Sequence, residues 1–290
     1  ESMFHSTIFD DVNKSVYDVL RDGYSDDVTM ALKYSTKGVN MTLEGKSTGT
    51  TTSGKVSCNF RACDYLDVKK VALENSGLMT LEADLPKLLK CTTLQIRLQQ
   101  DVFKRAPKKL AIGMKYLGEM HAANFMFDAA SLTYSVGVTR CFGNVMAGLR
   151  VTGDQESTVG SVDSVVAYRY KDFVFSAGLN SFATVLSGAV FAKPFRNVEI
   201  GTTVDIPFEK KDVNVAFGFR MHPDKHTEAA MKVDSDGVIA GYFKKSLARD
   251  MTIAGTASMP MNSTNLNNCK VGLSRSEERR VGKECRSRWS

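Results

Sequence analysis

The sequence lacks any apolar run long enough to form a membrane-spanning helix. It has 290 residues, is 43% hydrophobic and carries a formal net charge of +6. No stretch of about eighteen consecutive apolar residues occurs, which excludes a bundle of spanning helices. A membrane barrel would hide its signal in this way, because only every second residue of a barrel strand meets lipid.

Motifs for metal binding, redox chemistry and catalysis are also missing. The six cysteines form no Cys-x-x-Cys pair and are expected to be reduced thiols. His222 and His226 have a metal-like spacing, but the intervening Pro223-Asp224 indicates an exposed turn. Gly45-Lys46-Ser47 resembles the end of a phosphate loop, yet it lies within a strand pattern. We therefore predict no enzyme, no metal, no cofactor and no nucleic acid partner.

What the sequence does contain is a regular alternation of apolar and polar residues between Val28 and Ser274. In 28–35 every even position is apolar and every odd position is polar or small, and 94–99 and 213–220 repeat the pattern. Successive side chains of a strand point to opposite faces, so one face is apolar and the other wet. Turn signals separate about nineteen candidate strands, with 65–73 and 182–191 alternating poorly.

The pattern predicts an all-β fold, a closed transmembrane β-barrel. Short connections between the strands make neighbours antiparallel. In hydrocarbon each unpaired backbone group costs several kcal/mol, so a lipid-facing sheet leaves no open edge. A barrel of about sixteen or more strands encloses water rather than a packed core.

One amphipathic helix is predicted ahead of the strands, over Ser6–Arg21, with Ser6 or Thr7 as its cap and Gly23 ending it. Its charged side is mixed rather than strongly basic, which favours the lumen over the membrane surface. The residues expected to pack against the barrel wall are Val12, Val16 and Leu20.

The chain divides into an N-terminal segment, 1–24, a barrel, 25–274, and a tail, 275–290. The tail breaks the alternation, holds the only tryptophan and resembles the translation of a common sequencing adapter. It contains six basic and three acidic residues, half of the formal net charge of +6. We expect it to be foreign to the native protein, which would leave the last strand incomplete after Ser274.

The polar face, interpreted as the lumen, has more basic than acidic residues among the positions where alternation is clear. The basic ones are Lys33, Lys55, Arg61, Arg97, Lys109, Lys115, Arg150, Arg169, Arg220 and Lys232. The acidic ones are Glu44, Glu82, Asp84, Glu199, Asp205 and Glu228. Positive charge on a confined aqueous wall concentrates anions and helps them to pass, so we expect these cations to line an anion pathway.

Residues 11–24 resemble the N-terminal helix of the mitochondrial porins, the voltage-dependent anion channels. The resemblance extends from Phe9 to Ser274 and includes Leu32-Lys33 and the late hairpin with Pro223-Asp224 and 231–234. That family has about nineteen strands, so the strand count is not independent of the resemblance.

The resemblance implies a voltage-dependent, anion-selective channel of the mitochondrial outer membrane. ATP, ADP, phosphate and small metabolites would diffuse through it, and membrane lipid and a possible homo-oligomer would be its partners. It further implies nucleotide or anion contacts at Lys14, Arg21 and Lys33, and a hinge at Gly23.

The chain departs from the family pattern at several positions. Ser25 and Asp27 stand where the hinge of the family has further glycines, and Tyr17 replaces a second basic residue on the helix. Val71 takes the place of the membrane-facing glutamate of animal members. Regulation through that acid is therefore not expected.

Two other kinds of pore share this strand pattern. The pore subunit of the outer-membrane preprotein translocase would be favoured by an acidic and apolar lumen or a longer N-terminal extension. A bacterial-type general porin, or a soluble β-sandwich adhesin, would be favoured by an even strand count, long loops on one side or a signal peptide. We rank the translocase pore below the anion channel because neither of the features that would favour it is seen. We rank the bacterial-type porin and the adhesin lower because the connections are short at both ends.

Overall fold

The structure is a computed structural model that describes residues 5–280 except 37, 50, 105, 157–158, 210–211, 249–250 and 262–268. In this part of the chain a 3-10 turn, Phe9–Asp11, and an eight-residue helix, α1, Lys14–Arg21, precede the strands. Neither described helix has the length and apolar character needed to cross a membrane.

The strands are β1 Val28–Thr36, β2 Val39–Thr48, β3 Thr51–Cys63, β4 Leu66–Glu74, β5 Leu78–Leu89, β6 Thr92–Asp101, β7 Ala106–Leu117, β8 His121–Asp128, β9 Thr133–Phe142, β10 Val145–Gly153, β11 Ser161–Tyr170, β12 Phe173–Asn180, β13 Val185–Phe195, β14 Val198–Pro207, β15 Asn214–Asp224, β16 Thr227–Asp234, β17 Val238–Ala248, β18 Met251–Pro260 and β19 Lys270–Arg280.

The strands close into a single 19-stranded barrel. Each strand pairs antiparallel with the next, and β1 pairs parallel with β19, from Val28 opposite Leu273 to Ser35 opposite Arg280. Parallel closure follows from the odd number, because strands that alternate in direction bring the first and last together running the same way. The predicted closed barrel is confirmed.

The outer surface is apolar, as the alternation predicts. Val28, Met30, Leu32 and Tyr34 of β1 are all exposed on the outside. Directly opposite residues in a sheet share a face, so Leu43 of β2, which pairs with Leu32, is also outside. An apolar outer band of this kind is what a barrel presents to lipid.

The two stretches that alternate poorly have local causes. In 65–73 the pairing of β3 with β4 shifts register near Lys69, as does that of β4 with β5, so an extra residue interrupts the period of two. In 182–191 the first residues belong to a turn, where Phe182 and Ala183 have φ of 57° and 63°, and β13 begins only at Val185.

The predicted continuous helix over Ser6–Arg21 is wrong in its first half. The chain forms the 3-10 turn and then restarts as α1 at Lys14 with Asn13 as its N-cap residue. The side chains expected to cap the helix bind the wall instead: the Ser6 hydroxyl donates to the carbonyl of Gly118, and that of Thr7 lies 3.4 Å from the Met146 sulfur. The helix ends as predicted.

Strand β19 continues into the segment that resembles an adapter. Residues 275–280 pair with 30–35 of β1, so the backbone ladder is complete there. Arg275 lies opposite Met30 and Glu277 opposite Leu32, which places both charged side chains on the outer, apolar face. The segment therefore continues the hydrogen bonding but not the side-chain pattern, and its foreign origin stays a prediction.

Candidate pore lining

The pairing register places all sixteen charged residues predicted for the lumen on the inner face. This face is identified by α1, which packs on it at Gly201 and Gly218. Cross-strand pairs then carry the assignment around the barrel, for example Arg220 opposite Glu199 and Lys55 opposite Glu44. Its basic members are Lys33, Lys55, Arg61, Arg97, Lys109, Lys115, Arg150, Arg169, Arg220 and Lys232, and its acidic members are Glu44, Glu82, Asp84, Glu199, Asp205 and Glu228.

The same register adds inner-face charges that sequence reasoning missed. The acids are Asp67, Glu74, Asp101, Asp128, Asp163, Asp234 and Glu278, and the bases are Lys46, Lys70, Lys244 and Lys270. Most of the added acids sit at strand ends or beside a bulge, where the period of two is hard to read. The wall is therefore less one-sided in charge than the predicted set, and the way its charges are paired decides what it can bind.

The N-terminal segment, residues 5–27, lies inside the barrel and is fastened to the wall by polar contacts. Arg150 donates to Asp10 at 2.8 Å and to Asp163 at 2.6 Å, so one guanidinium joins the segment to β10 and β11. The Ser176 hydroxyl donates to the Asn13 side-chain oxygen at 2.6 Å. This contact occupies the oxygen that would otherwise cap α1.

Helix α1 packs on the wall where the wall has glycines. A Cβ at Gly201 would lie 3.2 Å from the Val16 carbonyl, and one at Gly218 would lie 2.9 Å from the Leu20 side chain. Val16 and Leu20 are buried against Ala189 of β13, and Val19 is fully buried. The inner-face glycines are the sequence signal for this docking site, which the alternation alone did not reveal.

Val12 packs separately from α1, against Cys141, Met146 and Ala167. The helix and the 3-10 turn together contact β8–β10 and β13–β15. The inner face of β1–β7 is left uncovered by both.

The exit from α1 is held by Arg220. Its guanidinium donates to the backbone carbonyls of Asp22, at 3.0 Å, and of Asp18, so it satisfies the C-terminus of the helix. Gly23 follows with φ +92°, and the Tyr242 ring occupies the space where a Cβ would stand. Bulk at Gly23 is therefore excluded by contact as well as by conformation.

Two titratable groups mark the junction between the segment and β1. Burial raises the pKa of Tyr24 to about 12, and its hydroxyl has no hydrogen-bond partner among the described residues. Hydrogen bonds from Lys46, at 2.6 Å, and from Thr48 lower the pKa of Asp27 to about 2. Asp27 therefore stays ionised and ties the start of β1 to β2.

Ion pairing divides the predicted cations into two groups. Lys55, Arg61, Arg150, Arg220 and Lys232 pair with Glu74, Asp64, Asp163, Glu228 and Asp234, respectively. Within the described chain no ion pair is made by Lys14, Arg21, Lys33, Arg97, Lys109 or Lys115. Arg169 instead lies beside the segment, in a cavity shared with Asn13 and Met146.

The two motifs judged to be chance matches lie in a hairpin and in a strand. The turn predicted at Pro223-Asp224 lies two residues later, because Pro223 and Asp224 end β15. Lys225-His226 forms the exposed turn between β15 and β16, and Gly45-Lys46-Ser47 is within β2. The described residues contain no group of His, Cys, Asp or Glu side chains able to hold a metal ion.

Comparisons with known proteins relate the chain to pore-forming barrels. The sequence model of the eukaryotic porins matches residues 7–272. No curated protein matches the sequence. Among solved structures, a mutant of the Rh. blastica porin is 10% identical with a TM-score of 0.48, covering 84% of this chain and 96% of that one. OmpT, an outer membrane protein of Vibrio cholerae, is 7% identical with a TM-score of 0.34, covering 80% and 84%.

Proposed function

This chain belongs to the eukaryotic porin family, and from that premise we propose that it is a voltage-dependent, anion-selective channel of the mitochondrial outer membrane. The family and the closed barrel make it a pore-forming protein of an outer membrane. The proposal adds the permeants, which are ATP, ADP, phosphate and other small anions, and the response to voltage.

Anion selectivity rests on where the unpaired cations lie. Lys33, Arg97, Lys109 and Lys115 are on β1, β6 and β7, in the sector of the wall that α1 and the 3-10 turn leave uncovered. Lys14 and Arg21 lie on the exposed side of α1, which faces the aqueous lumen rather than the wall behind it. The open passage therefore runs between two surfaces on which these six cations form no ion pair within 4 Å of a described carboxylate. Glu82, which lies opposite Arg97, is unpaired by the same measure.

In the sector of the wall that α1 and the 3-10 turn cover, two of the predicted cations are bound to the N-terminal segment. Arg150 and Arg220, which were predicted to contact permeating anions, hold the segment through Asp10 and through the backbone carbonyls of α1. A guanidinium already engaged by a carboxylate adds little to the potential felt by an ion in the lumen. We therefore assign the anion pathway to the unpaired set and a structural role to these two arginines.

Voltage sensitivity fits the kind of contacts that hold the segment. They are a small number of hydrogen bonds and ion pairs, each contributing about 0.5–1.5 kcal/mol to the attachment. Moving one elementary charge through 100 mV is worth about 2.3 kcal/mol. The energy gained by moving a few charges across the membrane potential is thus comparable to the energy of the contacts that hold the segment. We propose that the segment takes part in the voltage response.

The test is the reversal potential of the full-length channel in a planar bilayer under a KCl gradient. We expect an anion preference that falls in the triple variant Lys33→Gln/Arg97→Gln/Lys115→Gln. One charge about 10 Å from an ion in water contributes about 0.4 kcal/mol, or roughly two-fold in local concentration before screening. Three losses should bring the chloride to potassium permeability ratio close to one.

The matched control is Lys245→Gln, which removes a charge from the outer face of β17 and should leave the reversal potential unchanged. Cation preference in the unmodified channel would reject the proposal and favour a translocase-like pore. An anion preference that survives the triple variant would reject the assignment to the unpaired cations.

A further inference from the structure

A set of exposed cations lies at one end of the barrel. At this end, where odd-numbered strands finish, the cations lie in or just before the turns that follow β5, β9, β11, β13, β15 and β17. We call this set the basic rim, and it consists of Lys90, Arg140, Lys171, Arg196, Lys225 and Lys245. It extends from the turn after β5 to the end of β17, most of the way around the barrel.

The cations of the basic rim are not neutralised by neighbours. None of the six forms an ion pair with a described residue. The acids described in or directly before the turns at this end are Asp64, Glu119, Asp172 and Asp224. Asp64 is paired with Arg61, and Asp224 accepts hydrogen bonds from the backbone N–H of His226 and from Thr227. Positive charge is therefore in excess here.

Among the described turn residues of the opposite end, acids outnumber bases. Its described turn residues include Asp154, Glu156, Glu209, Asp212 and Asp236, whereas Lys104 is the one base among them.

Aromatic side chains fix the depth of the basic rim in the membrane. Arg140 lies over the Phe142 ring at 4.8 Å, and Lys171 lies over the Tyr170 ring at 5.5 Å. Phe195, which is 68% exposed, precedes Arg196 directly. Aromatic residues at strand ends sit at the level of the lipid headgroups, so the adjoining cations reach the phosphate layer.

We propose that the basic rim binds the phosphate groups of anionic phospholipids in the leaflet that it meets. Each cation is carried on a short turn or strand end that holds it at the headgroup level, and each lacks a protein carboxylate. A cation near an anionic membrane surface attracts it by an amount equivalent to about five-fold in binding at low salt. This inference goes beyond the channel function and does not depend on the ion selectivity of the pore.

The experiment measures lipid selectivity at the surface of the full-length barrel in phosphatidylcholine bilayers. Spin-labelled phosphatidylglycerol and spin-labelled phosphatidylcholine are compared by the fraction of each that is motionally restricted. We expect phosphatidylglycerol to associate roughly five-fold more strongly at low salt and to lose most of that advantage at about 1 M salt, where the Debye length is near 3 Å.

Charge-removing and charge-keeping variants separate the basic rim from the rest of the molecule. Replacing all six cations of the basic rim by glutamine should bring the preference close to one. Exchanging lysine for arginine and arginine for lysine at the same six positions should keep it. Lys104→Gln, at the opposite end, should also keep it. Pore conductance measured on the same samples shows that each variant has inserted.

Equal association of the two lipids with the unmodified barrel would overturn the proposal, as would a preference that persists in the charge-removing variant. Replacing chloride by inorganic phosphate at constant ionic strength tests the remaining source of phosphate. Loss of lipid preference in phosphate alone would show a site for the free anion and would contradict the assignment to lipid.

Discussion

Replacing Arg150 by glutamine should loosen the N-terminal segment and lower the voltage at which the channel closes. Arg150 joins three elements, because it donates to Asp10 of the segment at 2.8 Å and to Asp163 of β11 at 2.6 and 3.0 Å. Its guanidinium also lies 4.9 Å from the centre of the Phe9 ring. No other described side chain makes ion pairs with both the segment and the wall.

The two arms of this contact differ in strength. The Asp10 side chain is 48% exposed, so its pair with Arg150 contributes no more than about 1 kcal/mol. The Asp163 side chain is 6% exposed, and removing the partner of a buried carboxylate costs about 3–5 kcal/mol. In Arg150→Gln, Asp163 keeps a hydrogen bond from the Ser181 N–H, and Arg150 itself is one-third exposed. The expected loss of barrel stability is therefore about 1–3 kcal/mol.

Of the two ion pairs of Arg150, only the one with Asp10 attaches the segment, and it sets the size of the voltage effect. A loss of about 1 kcal/mol corresponds to about 40 mV for one elementary gating charge, and to proportionally less for several. Single-channel recording in a planar bilayer would give the voltage of half-closure. Arg150→Gln and Asp10→Asn should both shift it to lower voltage by similar amounts, while only Arg150→Gln should also weaken the barrel against denaturant.

The matched control is Arg150→Lys, which keeps one charge between the two carboxylates and should shift the midpoint less than glutamine does. Unchanged half-closure voltages in both Arg150→Gln and Asp10→Asn would refute the reasoning. That result would mean that this contact is intact, or irrelevant, during voltage-driven closure.

Three further outcomes follow from the same contacts. Gly201→Val should displace α1, since the added side chain meets its backbone, and limited proteolysis should then cut the segment faster than in a variant with valine on an uncovered glycine such as Gly54. The contact of Asp27 with Lys46 and Thr48 should be complete above about pH 4 and lost as the pH falls towards 2, because folding lowers the pKa of Asp27 from 3.8 to about 2. The spectrum of a label at the junction would report the loss, and Asp27→Asn should abolish the transition. Arg275→Leu/Glu277→Leu should raise the resistance of the barrel to denaturant in bilayers, because charges on the lipid face destabilise a barrel. For arginine this cost runs from near zero at the interface to about 2–4 kcal/mol at mid-depth. A loss of resistance would contradict the outward placement of the two side chains.

The barrel could be predicted from sequence because its signal is local. A strand turns every second side chain to the same face whatever its neighbours are, so Leu94, Ile96 and Leu98 reveal the outer surface without knowledge of β5 or β7. The same alternation predicts which cations face the lumen, because they occupy the strand positions between the apolar residues. Closure follows from the chemistry of the lipid interior rather than from any particular residue.

The pairing of the inner charges could not be predicted in this way. Arg150 and Asp163 are thirteen positions apart and meet only because β10 and β11 pair in one register, and Asp10 reaches Arg150 across 140 positions. The break in the predicted helix has the same kind of cause, since Asn13 binds Ser176 of a distant strand. Alternation tells which side chains face the lumen but not which of them are already bound.

The most direct test of the account is the accessibility of single cysteines along β6 in a cysteine-free background, read as the conductance change produced by a charged methanethiosulfonate reagent. Cysteine at Arg97 or Gln99 should react and alter the conductance, whereas cysteine at Ile96 or Leu98 should not. Reaction at all four positions, or at none, would contradict a water-filled barrel with this wall facing its lumen.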